Sequence, residues 1–190
     1  MGRPAVFLDR DGTVVREVDY LRSARDLRLL PGAAEAVRRL NRAGYVVVIA
    51  TNQSGVARGL LTEDELEGIH RTLIERLGRR GARIDAIYYC PHHPQAAVAR
   101  YRRRCRCRKP RPGMLARAAR DLDLDLARSV AVGDSARDIE AGRRSGCRTV
   151  LVRTGYGAKA EADLRPPPDH IAANLLEAAS WIVRRAKRTE

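Results

Sequence analysis

The fold is decided by the stretch Ala5-Val6-Phe7-Leu8-Asp9-Arg10-Asp11-Gly12-Thr13, in which four apolar residues run into two carboxylates and a glycine. A short apolar run without alternation is typical of a strand buried on both faces of a parallel sheet. Residues two apart in an extended segment face the same side, so Asp9 and Asp11 should present paired carboxylates while Arg10 points away. Two acids that leave an apolar run are costly to desolvate, which predicts a metal or catalytic site at the strand end.

Short β-branched runs alternate with amphipathic stretches along the whole chain, which predicts an α/β fold. We expect a three-layer, doubly wound parallel sheet with its site at the carboxyl ends of the strands. The predicted strands are residues 5–8, 45–51, 84–89, 130–132 and 149–152. The predicted helices carry the apolar positions Ala34, Val37 and Leu40, then Leu66, Ile69, Leu73 and Leu77, and finally Leu175, Leu176, Ala179, Ile182 and Val183 before a basic tail.

Capping and breaking residues place the ends of several helices. Thr62 and Glu65 form a capping-box pattern before the second helix. Pro112 suits the first turn of a third helix, and Gly146 suits the end of a fourth. The segment 163–169, with three consecutive prolines, is predicted to be an extended linker before the last helix.

Composition limits the class of protein. The 190 residues, 44% of them hydrophobic, suffice for one α/β domain covering 1–190. No apolar run is long enough to span a bilayer and no signal peptide is recognisable, so we expect a soluble, cytoplasmic protein without a membrane partner. Four cysteines, three of them in a metal-like pattern, favour a reducing compartment, and Cys147 should be a small buried hydrophobe.

The formal net charge of +14 predicts an anionic partner or substrate. It fits either dedicated polyanion binding or an arginine-rich, solvated surface. The aromatic content is 4%, and no aromatic residues interleave with the basic ones as a base-stacking surface requires. We therefore expect no nucleic-acid partner.

A second motif has the composition of a zinc site. Three sulfurs and one imidazole suit a closed, tetrahedral structural zinc site, which leaves no position open for a catalytic water. Twelve residues separate its two halves, and the zinc-binding loop 90–107 runs directly into Arg108-Lys109-Pro110. The predicted ligands are Cys90, His92, Cys105 and Cys107.

The remaining histidines are weaker candidates. His93 is an alternative to His92, but Cys-x-His mirrors Cys-x-Cys and favours His92. His70 and His170 show no partner pattern and are interpreted as surface or helix residues.

More polar residues follow the other predicted strands. Asp134 should reach the same sheet edge as Asp9 and Asp11, and three carboxylates at one edge favour Mg²⁺. Asp138, one helical turn further, either orients this site or is an ordinary acid at a helix start. The turn Thr51-Asn52-Gln53-Ser54-Gly55 is suited to anion contacts, although turns often use such residues.

In this order, these residues resemble the four motifs of the haloacid dehalogenase phosphatase superfamily: Asp9-Arg10-Asp11-Gly12-Thr13, Thr51-Asn52-Gln53, Lys109, and Gly133-Asp134 with Asp138. The resemblance covers nearly the whole chain. Within the superfamily, residues 51–59, 88–94 and 107–114 are similar to the heptose bisphosphate phosphatase family. That resemblance implies removal of the 7-phosphate of a heptose 1,7-bisphosphate, in the synthesis of nucleotide-activated heptose for lipopolysaccharide or another surface glycan.

The resemblance also implies roles for the motif residues. Asp9 would be the nucleophile that forms an aspartyl-phosphate, and Asp11 the general acid and base. Mg²⁺ would be held by Asp9, Asp134 and the main-chain carbonyl of Asp11, while Thr51 and Lys109 hold the transferring phosphoryl group.

The substrate contacts implied by the resemblance surround these groups. Arg108 would bind the second phosphate or the sugar through its guanidinium fork. Many family members carry Lys where this chain has Ser135. The connection between Thr13 and Pro31 is too short for a cap domain, so the site should be capless, open to a small phosphorylated sugar, and dependent on the zinc loop for specificity. The implied substrate-binding residues are Glu17, Val18, Asp19, Tyr20, Asn52, Gln53, Ser54, Arg108 and Ser135.

Two alternative functions share some of these features. A histidinol-phosphate phosphatase has similar motifs but should have a shorter loop between His92 and Cys105. A nucleic-acid-binding zinc protein would explain the arginines near Cys105, but not the acids Asp9, Asp11 and Asp134. Either heptose anomer is compatible with these residues, and a monomer is the default expectation for a compact, capless domain.

Overall fold

The computed structural model of the chain describes residues 2–186, so the basic tail predicted after the last helix lies outside the described residues. Six parallel strands form one sheet in the order β3-β2-β1-β4-β5-β6. The strands are β1 (Ala5–Leu8), β2 (Val46–Asn52), β3 (Ala86–Cys90), β4 (Val130–Gly133), β5 (Arg148–Val152) and β6 (His170–Ala172).

Seven α-helices connect the strands or flank the sheet within residues 2–186. They are α1 (Ala33–Arg42), α2 (Ser54–Ala57), α3 (Glu63–Gly78), α4 (Gly113–Leu122), α5 (Ala136–Arg144), α6 (Gly157–Ala160) and α7 (Leu175–Ala186). None of these described helices is both long and apolar enough to cross a membrane.

The core lies on both faces of the sheet, as the apolar runs predict. Val6 and Leu8 of β1 pack with residues of α1, α3 and α7 on one face. Phe7 packs with Met114 and Leu115 of α4 on the other face. Successive side chains of a strand point to opposite faces, so both sets must be apolar when helices cover both sides. The predicted three-layer, doubly wound architecture is confirmed.

Capping residues mark one end of each of three helices, α3, α4 and α5. Thr62 Oγ1 accepts a hydrogen bond from Glu65 N at 3.1 Å, and Glu65 Oε2 accepts one from Thr62 N at 2.7 Å, which confirms the capping box of α3. Gly146 follows the last turn of α5 with φ +78°, a left-handed conformation that favours glycine. Pro112 caps α4 instead of lying in its first turn.

The segment before the last helix differs from the prediction. It leads first into β6, a strand of three residues that the sequence did not indicate, and residues 161–163 form a 3₁₀ turn. Asp169 Oδ2 accepts a hydrogen bond from Thr149 N at 2.8 Å, which fixes this segment beside β5. So short a strand has no apolar period of its own, and pairing with β5 determines it.

The register of the central strands brings three strand ends to one place. Leu8 is aligned with Ile49 of β2 and with Val132 of β4, and Asp9 N donates to Val132 O at 2.9 Å. The residues that follow each strand therefore meet at the carboxyl edge of the sheet. Residues 14–30 contain only turns and isolated bridges, so no cap domain covers this edge.

Candidate active site

A cavity of about 220 Å³ lies at the carboxyl ends of β1, β2 and β4. It contains every residue for which the resemblance implied a role in phosphoryl transfer. Its wall also includes the predicted substrate residues with one exception, Val18, whose side chain is exposed to solvent. The lining residues with predicted roles are Asp9, Asp11, Glu17, Asp19, Tyr20, Thr51, Asn52, Gln53, Ser54, Arg108, Lys109, Asp134 and Ser135.

Three carboxylates converge at the base of the cavity. One oxygen each from Asp9, Asp134 and Asp138 lies within 4.8 Å of the others. Burial raises the pKa of Asp134 to about 8, and the negative charge of Asp9 adds to this effect. A pair of like charges in a buried site is unstable unless a cation shares it.

Lys109 supplies part of that balancing charge. Its Nζ lies 2.8 Å from Asp9 Oδ1 and 2.5 Å from Asp138 Oδ1, and it donates to the Ala50 carbonyl at 2.6 Å. Although burial works against its charge, Asp138 and Asp9 together hold the pKa of Lys109 above its usual value. Burial raises the pKa of Asp9 to about 6, and the positive charge of Lys109 opposes this rise. Asp138 is therefore more than an ordinary acid at a helix start, because it also holds Lys109 in position.

The surroundings of Asp134 fit a hard divalent cation. A Cβ on Gly12 or on Gly155 would lie only 2.0 Å from Asp134 Oδ2, so bare backbone packs around this carboxylate. Tyr156 N donates to the same oxygen at 2.9 Å and fixes its direction. Carboxylate oxygens held this rigidly, next to a cavity open to solvent, match the preference of Mg²⁺ for few protein ligands and several waters.

The structure corrects the prediction that Arg10 points away from the acids. The side chain of Arg10 is 1% exposed and folds back toward Asp11 in the protein interior. Arg10 Nη2 donates to Asp11 Oδ2 at 2.9 Å and to Gln53 Oε1 at 2.8 Å. A buried guanidinium requires a counterion, and the carboxylate of Asp11 is the one within reach. The side chain of Asp11 is thus engaged by Arg10 and lies outside the three-carboxylate cluster.

His70 and His170 were predicted to be surface or helix residues; His70 is indeed a helix residue, but His170 is not, and the structure gives both rings a partner. His70 is buried in α3, with its Nε2 3.2 Å from Arg10 Nη1. Burial and the charge of Arg10 lower the pKa of His70 to about 3, so the ring is neutral and accepts from the guanidinium. His170 lies in β6, where its ring stacks on Trp181 at 4.7 Å.

Several predicted substrate residues use their side chains within the protein. Asn52 Oδ1 accepts from Lys109 N at 3.0 Å, and Asn52 Nδ2 donates to Lys109 O at 3.1 Å. Gln53 Nε2 donates to Asp11 Oδ2 and to Thr51 Oγ1, at 2.8 and 2.9 Å. Ser135 Oγ donates to Asp138 Oδ2. These three side chains position the reacting groups, even though they also line the cavity.

The four predicted zinc ligands form a second cluster, with one ligand atom from each within 4.8 Å of the others. Cys107 Sγ lies 3.1 Å from Cys90 Sγ, 3.2 Å from Cys105 Sγ and 3.4 Å from His92 Nδ1. Three thiol groups and one imidazole at these separations are compatible with a tetrahedral zinc site. His93 faces elsewhere, since its Nδ1 accepts from Gln95 N at 3.1 Å.

A carboxylate that the sequence did not single out holds the zinc loop against the core. Glu63, at the start of α3, accepts hydrogen bonds from Tyr89 Oη at 2.7 Å and from Tyr101 Oη at 2.6 Å. Tyr89 belongs to β3, and Tyr101 lies between the two halves of the zinc motif. No local pattern indicates this arrangement, because the three residues are distant in sequence.

A third feature is a group of arginines at the mouth of the cavity. Arg108 and Arg137 line the cavity, and Arg58 lies over the ring of Tyr20 at 5.7 Å. Burial lowers the pKa of Arg108, and the positive charges of Arg137 and Arg58 lower it further. The same three charges lower the pKa of His93 after the contribution of burial. The mouth of the cavity is therefore strongly positive, while its base is acidic.

The turn after β5 contributes to the site, although no motif in the sequence indicated it. Thr154 Oγ1 donates to Gly12 O at 2.6 Å, and Tyr156 Oη donates to Asp19 Oδ1 at 3.1 Å. The only local signal is Gly155, which has a φ of +56°. This turn holds the first motif and the loop after it in place.

Comparison with known proteins agrees with this geometry. The HAD-hydrolase-like family model matches residues 106–178. D-glycero-D-manno-heptose-1,7-bisphosphate 7-phosphatase of Thermosynechococcus vestitus is 48% identical over 189 residues, which cover 96% of each chain. The D-glycero-beta-D-manno-heptose-1,7-bisphosphate 7-phosphatase of Escherichia coli K12 is 43% identical over 161 residues, 84% of each chain.

A solved structure is similar over the same extent. It is the crystal structure of D,D-heptose 1,7-bisphosphate phosphatase from B. bronchiseptica complexed with magnesium and phosphate. The two chains superpose with a TM-score of 0.86 and 39% sequence identity, over 96% of this chain and 99% of the other.

Proposed function

The chain belongs to the heptose-1,7-bisphosphate 7-phosphatase family of haloacid dehalogenase-like hydrolases, and on this premise we propose that it removes the 7-phosphate of a heptose 1,7-bisphosphate to give heptose 1-phosphate. The observation that carries the proposal is the position of Lys109. It joins Asp9 to Asp138 at the base of the cavity and directly follows Arg108 at the end of the zinc-ligand loop. One short segment thus brings a phosphoryl-binding cation and a substrate-binding guanidinium to the same site.

Asp9 is the proposed nucleophile. Its carboxylate attacks the phosphorus and forms an aspartyl-phosphate, which a water then hydrolyses. Lys109, bonded to one oxygen of Asp9, keeps this side chain in a single orientation and lies where it can bind the transferring phosphoryl oxygens. Thr51, at the end of β2, is proposed to hold the same group through its hydroxyl.

Asp11 is the proposed general acid and base. It protonates the departing sugar oxygen in the first step and removes a proton from water in the second. Arg10 and Gln53 fix its carboxyl group from the side of the protein interior. This orientation lowers the entropic cost of reaching a productive geometry, because the carboxyl group of Asp11 is already in position when the substrate binds.

The proposed metals have different tasks. Mg²⁺ would be held by Asp9, Asp134 and the main-chain carbonyl of Asp11, and when bound it shields the phosphoryl charge from the attacking carboxylate. Zn²⁺ would be held by Cys90, His92, Cys105 and Cys107 and would fix the loop 90–107. In this proposal zinc takes no part in the chemistry, because all four of its positions are filled by protein atoms.

The named relatives are heptose 1,7-bisphosphate phosphatases, which supports this function over a histidinol-phosphate phosphatase and over a nucleic-acid-binding zinc protein. We propose a single domain of residues 1–190 that acts in the cytoplasm as a monomer. The small soluble substrate reaches the site without movement of a cap domain.

A phosphate-release assay tests the proposal. The full chain, supplied with Mg²⁺ and Zn²⁺, should release one phosphate from a heptose 1,7-bisphosphate, and release should stop when Mg²⁺ is removed. The assay compares four substrates: the α- and β-anomers of heptose 1,7-bisphosphate, histidinol phosphate and a 3′-phosphorylated oligonucleotide. Faster turnover of histidinol phosphate or of the oligonucleotide would contradict the proposal.

The variant Asp9→Asn tests the nucleophile. The amide keeps the shape of the side chain, but its neutral oxygen is a far weaker nucleophile than a carboxylate and cannot give the aspartyl-phosphate, so turnover should fall at least about 1,000-fold. Asp121→Asn, at an exposed acid on α4, is the matched control and should retain full activity. Full turnover by Asp9→Asn would exclude this residue as the nucleophile.

A further inference from the structure

Three guanidinium groups from separate elements surround the mouth of the cavity. Arg58 follows the last residue of α2, Arg108 follows the zinc loop, and Arg137 lies in the first turn of α5. Within residues 2–186 none of the three forms an ion pair with a carboxylate. The one side-chain hydrogen bond of Arg108 among the described residues is to the main-chain oxygen of His92, at 3.2 Å.

The acids of the same cavity do not neutralise these arginines. Asp9 and Asp138 are engaged by Lys109, and Asp11 is engaged by Arg10. The like charges of the arginines at the mouth repel one another, and no carboxylate of the described residues lies within ion-pairing distance of any of the three. An anion bound between them would remove this repulsion, and a phosphate dianion has the charge and the oxygen geometry to bind two guanidinium forks.

At the start of α5, one side chain is available to bind such an anion. Ser135 caps this helix, and its hydroxyl donates to Asp138 Oδ2, so it is already committed within the protein. Arg137 is two residues further and lines the cavity, and its side chain has no hydrogen bond to another group in the described part of the chain. It is the side chain at this helix end that remains available to a ligand.

We propose that Arg137, paired with Arg108 across the cavity mouth, binds the phosphate that is not hydrolysed and so selects sugar bisphosphates over sugar monophosphates. The inference rests on the proposed function, because it requires a substrate with two phosphates. With one phosphate at Asp9 and Lys109, the second extends toward the mouth of the cavity. Arg58 adds to the positive potential there while its guanidinium lies over Tyr20.

The test compares two substrates that differ only in the second phosphate, heptose 1,7-bisphosphate and heptose 7-phosphate. In Arg137→Gln, kcat/KM for the bisphosphate should fall about tenfold, as expected for loss of one charge-assisted hydrogen-bonding group, and mainly through KM. The value for the monophosphate should stay within about twofold of wild type. Arg137→Lys, which keeps the charge without the fork, should lose less than Arg137→Gln.

Arg144→Gln is the control on the same helix, since Arg144 is exposed and pairs with Glu140 outside the cavity. It should leave both substrates unaffected. Equal losses on the two substrates, or no loss on either, would overturn the assignment of Arg137. A wild-type protein that does not hydrolyse the bisphosphate would instead overturn the proposed function, and the inference with it, so the two failures are distinguishable.

Discussion

Tyr156 contacts two parts of the site at once: its main-chain N–H donates to Asp134 Oδ2 at 2.9 Å, and its hydroxyl donates to Asp19 Oδ1 at 3.1 Å. Asp134 belongs to the acidic base of the cavity, and Asp19 to the loop proposed to contact the sugar. Asp19 has a φ of +58°, a conformation that is strained for a residue other than glycine. The bond from Tyr156 helps to hold it there.

The variant Tyr156→Phe removes only the hydroxyl and keeps the main-chain bond to Asp134. We expect KM to rise about threefold and kcat to stay within about twofold, because this exposed hydrogen bond to the Asp19 carboxylate positions the sugar loop but not the reacting groups. Tyr88→Phe is the matched control, since Tyr88 Oη bonds to Asp121 away from the cavity. A fall in kcat at constant KM would contradict this prediction, because it would mean that the Tyr156 hydroxyl affects the reacting groups and not the sugar loop.

Removal of zinc should destabilise the protein without changing its catalytic residues. Chelation of the bound metal, or Cys105→Ser, should lower the melting temperature by several degrees, because ligand binding to the folded state contributes to its stability. Cys147→Ala is the control, since this buried cysteine lies outside the cluster. Metal analysis should give one zinc per chain for wild type and for Cys147→Ala. Absence of tightly bound zinc in purified wild type would refute the assignment.

The buried guanidinium of Arg10 should contribute strongly to stability. In Arg10→Met the volume is nearly kept, but Asp11, Gln53 and His70 lose their contacts with the guanidinium group. We expect the free energy of unfolding to fall by about 2–4 kcal/mol, the range for breaking one side of a buried ion pair that retains some solvent access. Urea unfolding gives the value directly.

Arg144→Met provides the comparison for an exposed pair and should cost less than about 1 kcal/mol. Equal effects of Arg10→Met and Arg144→Met would mean that the Arg10 network has no special role in stability.

Glu17 should make stability depend on pH. Burial and the nearby charge of Asp11 raise the pKa of Glu17 to about 7 from its ordinary value of 4.5. Between these values the folded protein binds more protons than the unfolded chain, so this group's favourable contribution is complete below about pH 4.5 and is lost as the pH rises through 7. Glu17→Gln cannot ionise and should show a smaller loss.

The measurement is the melting temperature of both proteins at pH 5 and at pH 8, at a constant Mg²⁺ concentration. The gain of Glu17→Gln relative to wild type should be larger at pH 8 than at pH 5. Glu75→Gln, at an exposed position of α3, controls for the loss of one surface carboxylate. A larger relative gain at pH 5 would reverse the sign and refute the prediction.

Local patterns in the sequence predicted most of the fold because each pattern has a local cause. The apolar runs gave five of the six strands, with bounds shifted by at most two residues. The capping box of Thr62 and Glu65 and the helix end at Gly146 depend only on neighbouring residues, and both were predicted correctly. β6 was missed because pairing with β5, and not its own composition, makes it a strand.

In the site, too, some features follow from the sequence alone and others depend on the tertiary structure. The sequence by itself determined which residue types end the parallel strands, namely Asp9, Asp11, Thr51 and Asp134, and which four residues could hold zinc, because strand ends of a parallel sheet meet at one edge. Only the tertiary structure decided the partners of long, flexible side chains: that Arg10 turns back to Asp11, that Lys109 joins Asp9 to Asp138, and that Arg137 faces the cavity. The physical reason is the length of these side chains. A lysine or arginine can extend to any of several buried counterions, and the packing between segments distant in sequence determines which one it pairs with.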